Sequence, residues 1–205
     1  APAVLLISHV LTELDASQLN ELTVLASRAS SVIWLEPGTH DASRTLIAVR
    51  EKLRNSLNVI APCTHAAACG MLDTGNEPHW CHHFAEPPAG VFTDSNWSRF
   101  AHIAGIDLRS LPVSFLVLDR RPTPALPTGA TRIIGRPRFY KPHALLLGCD
   151  ESGVRERELT KRDLPEIFRR LKRDDVDPLQ VWQCNEAGRI ISAQSLPAAE
   201  KSGRR

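Results

Sequence analysis

The sequence predicts an α/β fold interrupted by an irregular, metal-binding insertion. Three observations carry that expectation. Short apolar runs alternate with helix-period segments between residues 3 and 61. The stretch from Pro62 to about Ile106 loses this periodicity and gathers cysteine and histidine. Strand-like patterns then return at Pro112.

The first run, AVLLIS (residues 3–8), is continuously apolar, as a buried parallel strand would be. LDASQLNELTVLASRA follows, with Leu14, Leu19, Leu22 and Leu25 at helical spacings and Asp15 as its cap. SSVIWLEPG is a second buried strand, ended by Pro37 and Gly38. HDASRTLIAVREKLRN is a second helix, with Asp41 or Ser43 as its cap and Leu46, Val49 and Leu53 on one face. LNVIAP is a third short strand. Strands linked by helical crossovers predict a parallel sheet. Later, PVSFLVLDR reads as a strand and RRPTPALPTGAT as a Pro-rich loop. Residues 131–161 read as two or three strands with a turn at Asp150–Gly153, and RDLPEIFRRLKRDD as a short basic helix. The tail AEKSGRR is expected to be disordered. The divisions are residues 1–61, 62–111, 112–175 and a C-terminal extension, 176–205.

Composition narrows the class. The 205 residues are 42% hydrophobic and 23% charged, ordinary for a globular protein. No apolar run approaches the ~18 residues of a membrane span, and the first residues lack a basic n-region. A soluble chain without membrane contact is expected. Nothing predicts an oligomer. The net charge of +2 hides an asymmetry: residues 120–173 carry 14 Lys/Arg against 6 Asp/Glu. Such a surplus suits a polyanion such as RNA, and a solvated, ion-paired surface accounts for it equally well.

Residues 61–83, APCTHAAACGMLDTGNEPHWCHH, hold three of the five cysteines and four of the eight histidines. The spacing is Cys63-x5-Cys69-x11-Cys81, with Cys149 far downstream and Cys184 apart in VWQCNEAG. An odd cysteine count argues against a disulfide framework. A zinc ribbon would show close Cys-x2–4-Cys pairs, and none is present. Irregular spacing is compatible with a four-cysteine iron–sulfur cluster. A zinc site of three cysteines and one histidine from His65, His79, His82 and His83 stays open, as do four buried free thiols. No phosphate-binding Gly-rich loop occurs. Ser8, His9 and Glu13 follow the first strand and Glu36 ends the second, where open α/β sheets hold ligands.

ISHVLTEL, WLEPGT, APCTH…C…WCHHF, SFLVLDRR, RIIGRPRFYKPHALLLGC and LTKRD, in this order, resemble the methyltransferase-like proteins of the mitochondrial small ribosomal subunit and their bacterial relatives. The likeness runs from Val4 to Lys172. It implies the C-terminal half of a Rossmann-like class I methyltransferase sheet and a small β-rich C-terminal part. AVLLIS would be its fourth strand, LNVIAP its sixth and SFLVLDR its seventh, with strands one to three preceding residue 1. It implies a [4Fe–4S] cluster on Cys63, Cys69, Cys81 and Cys149, with His82 behind the ligands and zinc as the alternative metal. S-adenosylmethionine would bind only a full-length parent, leaving Ser8, His9, Glu13 and Glu36 as a pocket remnant. The implied partners are small-subunit rRNA and its proteins. The RNA contacts expected are Arg120, Arg121, Arg132, Arg136, Arg138, Lys141, Arg169, Arg170 and Lys172. The compartment expected is the bacterial cytoplasm, or alternatively the mitochondrial matrix. Three functions compete: a cluster-bearing assembly or translation factor, an active rRNA methyltransferase, and a zinc-bound protein-interaction module.

Overall fold

The computed structural model describes residues 3–85, 87–108 and 110–196. The tail expected to be disordered lies outside the described residues. The described chain is mixed α/β, built on two sheets.

In the first sheet, β1 (Val4–Ser8) runs parallel to β2 (Ser31–Pro37). β3 (Asn58–Ala61) does not join β2, as an uninterrupted parallel sheet would require. β5 (Pro112–Asp119) lies antiparallel between them, in the order β1-β2-β5-β3. The reason is in its sequence. PVSFLVLD carries apolar side chains at both parities, and a central position covers both faces. Leu116 and Leu118 are buried there with Val32 and Trp34 of β2.

α1 (Ala16–Arg28) begins at the expected Asp15, which accepts from the Gln18 amide while the Gln18 side chain accepts from the Asp15 amide. This is a reciprocal capping box. α2 (His40–Leu53) is capped by Thr39, not by Asp41 or Ser43. Ser43 is drawn elsewhere, its hydroxyl donating to the Cys81 carbonyl at 2.8 Å. Leu46, Val49 and Leu53 pack onto the sheet, as their spacing predicts.

The second sheet is antiparallel, in the order β10-β9-β6-β7-β8. β6 (Ala130–Phe139), β7 (His143–Asp150) and β8 (Gly153–Thr160) are the strands expected there. α5 (Pro165–Lys172) covers the sheet with Phe168 and Leu171. Residues 176–196 are no appendage: β9 (Leu179–Cys184) and β10 (Ile190–Ser195) complete this sheet, and Trp182 and Ile190 enter its core.

Residues 62–111 are less irregular than their composition predicts. They contain a 3-10 turn (Gly70–Leu72), β4 (His83–Phe84), α3 (Gly90–Thr93) and α4 (Ser95–Ala104). Asp94 caps α4 through the Asn96 amide, and Gly105, at φ 65°, ends it in the left-handed region. Among the described residues no helix is long and apolar enough to cross a membrane.

The buried side chains form three clusters. One belongs to the first sheet and its helices, and one to the second sheet and α5. The third joins elements of both halves and is made of Ile47, Cys69, Met71, Ile134, Cys149 and Val154, with Cys81 and Leu147 against it.

Candidate metal centre

Four segments bring the cysteines together. Cys63 follows β3 and Pro62. Cys69 leads into the 3-10 turn, and Gly70 beside it approaches β8 so closely that a Cβ would lie 2.5 Å from the Val154 nitrogen. Cys81 precedes β4, its carbonyl accepting from the Ser43 and Ser114 hydroxyls. Cys149 lies on β7, opposite Arg132 of β6 and Val154 of β8. All four line one small cavity together with Met71, His83 and Arg132. All are free thiols, whereas Cys184 is exposed on β9.

Polar contacts tie this loop to α2. The Arg50 guanidinium donates from Nε to Cys63 Sγ at 3.2 Å, and from Nη2 to the His65 and Ala67 carbonyls at 3.2 and 3.0 Å. Arg50 is 2% exposed. Glu51 pairs with both Arg50 and Arg54, and accepts from the Cys69 amide at 3.2 Å. Across the cavity, Arg132 Nε donates to the Pro62 carbonyl.

The electrostatics are those of a buried thiol nest. Burial, then the neighbouring cysteines, pushes the Cys81 thiol well above its ordinary range and Cys149 up to about 12. Burial raises Cys69 as well. Without a cation these groups keep their protons, and a bound metal ion reverses that preference. His65 and His83 flank the nest as neutral rings. Burial, then Arg50, lowers the former, and burial, then Arg132, takes His83 down to about 3. His65 Nε2 lies 3.7 Å from Cys149 Sγ, and its buried Nδ1 has no hydrogen-bond partner. Donor type, burial and this orphaned nitrogen fit a thiolate-bound metal group. The residues that would hold it are Cys63, Cys69, Cys81 and Cys149. Among the described residues no set of three or more His, Cys, Asp or Glu forms a site for a single ion.

The position expected of His82 falls to His83, whose Nε2 is 3.5 Å from Cys81 Sγ. His82 turns away, stacks on Trp80 at 4.7 Å and lies over Gly135, where a Cβ would meet its ring at 2.7 Å. The alternation of extended side chains explains the exchange, since His82, just before β4, lies on the side of Phe84 while His83 faces the other way. Arg50 and Glu51 were not singled out from the sequence. The signal was present, because Arg50 sits four residues after Leu46 and three before Leu53, on the apolar face of α2.

Ser8 and His9 meet at the exposed end of β1, where Ser8 Oγ lies 2.7 Å from His9 Nδ1 and His9 has φ 54°, while Glu13 is exposed in the following loop and accepts from the Thr12 hydroxyl. Glu36 does not join them. It is fully buried, accepting from the Val10 and Leu11 amides and from Trp34 Nε1 at 2.7 Å. Its carboxylate anchors the β1–α1 loop.

The predicted RNA contacts divide. Arg132 faces the cysteines. Arg120 binds the Ser27 and Ala29 carbonyls at the end of α1, and Arg121 pairs with Asp119. The rest belong to β6, α5 and the β6–β7 turn. Arg136 lies 4.4 Å over the Phe84 ring and 3.8 Å from Asp174. Arg138 pairs with Glu156, Arg169 with Glu166 and Arg170 with Asp175, while Lys172 lies over Phe139 and Phe168. Lys141 is exposed in the turn.

No curated protein matches this chain. A family model does. The family described as mitochondrial small ribosomal subunit Rsm22 matches residues 2–176, which include all four cavity cysteines and both arginines beside them. The chain belongs to the mitochondrial small ribosomal subunit Rsm22 family.

Proposed function

We propose that this chain is part of a methyltransferase-like factor of the small ribosomal subunit, that Cys63, Cys69, Cys81 and Cys149 hold a [4Fe–4S] cluster, and that its basic side binds rRNA. The observation that carries this reading is the meeting of four thiols, from four separate segments, in one cavity. A cluster there would cross-link those segments and supply a one-electron centre. Thiol donors brought from separate segments suit the larger group. Four thiolates on one zinc, each at about 2.3 Å, must crowd to about 4 Å from one another. A cluster spreads its thiolates over several irons.

The order β1-β2-β5-β3, with β5 reversed, supports reading these strands as the fourth, fifth, seventh and sixth of a methyltransferase sheet. Residues 62–111 are then an insertion before the seventh strand. Ser8, His9 and Glu13 are the pocket wall that S-adenosylmethionine would meet in a full-length parent. The family's name favours the mitochondrial alternative for the compartment.

Anaerobic purification, an absorption spectrum and iron, sulfide and zinc analysis test the cluster. A broad band near ~400 nm with about four irons per chain is expected. A colourless protein with one zinc would overturn it and favour a structural zinc module. For RNA, the contacts proposed are Arg136, Arg138, Lys141, Arg169, Arg170 and Lys172. Arg136→Glu with Arg138→Glu should weaken binding to small-subunit rRNA and flatten its salt dependence. Unchanged filter binding would remove these residues from the interface. Methyl transfer from labelled cofactor by the full-length parent would favour an active methyltransferase.

A further inference from the structure

We infer that Arg50 and Arg132 are the counter-cations of the cysteine centre, and that they select a dianionic group in which all four cysteines bind as thiolates. The inference rests on the metal-centre reading but not on which metal is bound.

The starting point is a charge imbalance. Arg50 is 2% exposed and lies within the loop that carries Cys63 and Cys69. Arg132 is half-buried, reaches back to Pro62 and faces the cavity lined by the four cysteines. Cationic side chains are rarely buried without an anion. The nearest carboxylate, Glu51, is shared between Arg50 and Arg54. Arg50, Arg54 and the one carboxylate between them leave one positive charge over, and Arg132 adds a second. Asp150 and Glu151 beside Cys149 are half-exposed and exposed, and their charge is screened by water.

The anion is the sulfur set itself. Burial alone would lower the Arg50 pKa, yet it is raised, through the charge and hydrogen bond of Cys63 and then through Cys69 and Glu51. For Arg132, burial is the stronger effect and lowers the value, and the charges opposing it are Cys63, Cys81 and Cys149. No carboxylate is among them. Cys63 Sγ accepts from Arg50 and, with Cys69, Cys81 and Cys149, lines the cavity that Arg132 faces, so thiolates there supply the negative charge that Glu51, shared with Arg54, does not.

The charge sets the stoichiometry. A divalent core on four thiolates is a dianion, whether the core is one Zn2+ or an oxidised four-iron cluster. Replacing one thiolate by a neutral histidine leaves a monoanion and one guanidinium uncompensated. The histidines nearest the sulfurs, His65 and His83, are then neighbours of the ligands. The sequence left a three-cysteine, one-histidine site open, and the two arginines speak against it.

The experiment compares anaerobically purified wild-type protein with Arg50→Gln, Arg132→Gln and the charge-conserving Arg50→Lys and Arg132→Lys. Metal per chain and its release to a chelator are measured. The Gln variants should lose metal about 10- to 100-fold faster, the range found for groups that support metal ligands. The Lys variants should recover most of the loss. In iron-loaded protein, the midpoint potential of the Gln variants should move negative, because a lost positive charge disfavours the reduced, more anionic cluster. Each of Cys63→Ser, Cys69→Ser, Cys81→Ser and Cys149→Ser should lower metal content, whereas His65→Ala and His83→Ala should not abolish it.

Gln variants that retain metal like wild type would overturn the inference. So would Lys variants as defective as the Gln ones, which would mean that shape and not charge is at work. If a Gln variant cannot be loaded, its Lys partner decides between these outcomes. Wild-type protein carrying zinc overturns the cluster reading alone, and the arginine comparison is then read from zinc release. Wild-type protein without any metal overturns both.

Discussion

The core of the first sheet and the cysteine-lined junction are built from neighbouring residues of the same helix, yet they hold together by different physics. Leu46, Val49 and Leu53 of α2 meet Trp34, Leu116 and Leu118 in a conventional apolar core. Ile47 and Arg50 of the same helix turn to the junction, where the buried set is small and includes Cys69 and Cys149. The first region needs only apolar area removed from water. The second buries thiols and a guanidinium, which oppose folding unless something balances them. Apolar packing and a buried nest of thiols and guanidinium therefore share one helix, on adjacent stripes of its surface.

The largest effect expected is from removing the metal. Chelation should speed amide hydrogen exchange across residues 62–84 and along β6 and β7 near Arg132 and Cys149, while β2 and β5 keep their protection. Mass-spectrometric hydrogen exchange on loaded and stripped protein measures this. Equal loss in both regions would mean that they unfold as one unit, and the contrast would fail.

Leu118→Ala sets the opposite end of the comparison. Leu118 is fully buried in the first core. A cavity there should cost about 2–5 kcal/mol in denaturant unfolding. Metal content per chain should stay near the wild-type level, since Leu118 does not line the cysteine cavity, and Cys63 is the one cysteine packed against this core. A variant that loses both stability and metal would show the junction leaning on that core.

The two regions were unequally legible in the sequence. The first core could be read because its signals are local. A run such as VIWLE marks a strand, Leu46, Val49 and Leu53 mark a helix face, and Asp15 with Gln18 marks a helix start. Strand order was not local: the place of β5 between β2 and β3 depends on pairings across many residues. α4 was legible but missed: Trp97, Phe100 and Ile103 stand at helical spacing and Asp94 and Gly105 bracket them, within a stretch otherwise rich in Gly, Pro and Asp. β9 and β10 pair with each other, but their place in the second sheet depends on β6, far upstream of β9. At the junction the cysteines were conspicuous by rarity, but the choice of His83 over His82 follows from strand parity at β4. The roles proposed for Arg50 and Arg132 appear only once α2 and β6 meet at the cysteines, which line one cavity with each arginine.

Glu36 tests whether a charge can also belong to the conventional core. Its carboxylate has no basic partner in its hydrogen bonds, which come from two amides and the Trp34 indole. Glu36→Gln keeps the shape but replaces charge-assisted acceptors with one neutral carbonyl and an NH2 group lacking an acceptor. A loss of about 1.5–3 kcal/mol is expected. Thermal unfolding measures it, and hydrogen exchange at Val10 and Leu11 locates it. An unchanged melting point would mean that this core does not depend on the charge of Glu36.

The smallest effect sharpens the contrast from the first core's side. Asp15 satisfies the Gln18 amide at the start of α1, and Gln18 returns the bond to Asp15. Both groups are exposed, so water replaces part of what Asp15→Ala removes. The amide left behind is one of the four that every helix start leaves unsatisfied. The expected cost is about 1 kcal/mol in denaturant unfolding, with the metal content and its release rate unchanged. α1 packs against α2, but its contribution to the apolar core comes through Ala26, Leu19 and Leu22, not through the cap. A local loss at the helix end should therefore stay local. If Asp15→Ala instead accelerated metal release, strain at the far end of α1 would be reaching Arg50 through α2. The two stripes of that helix would then be one mechanical element.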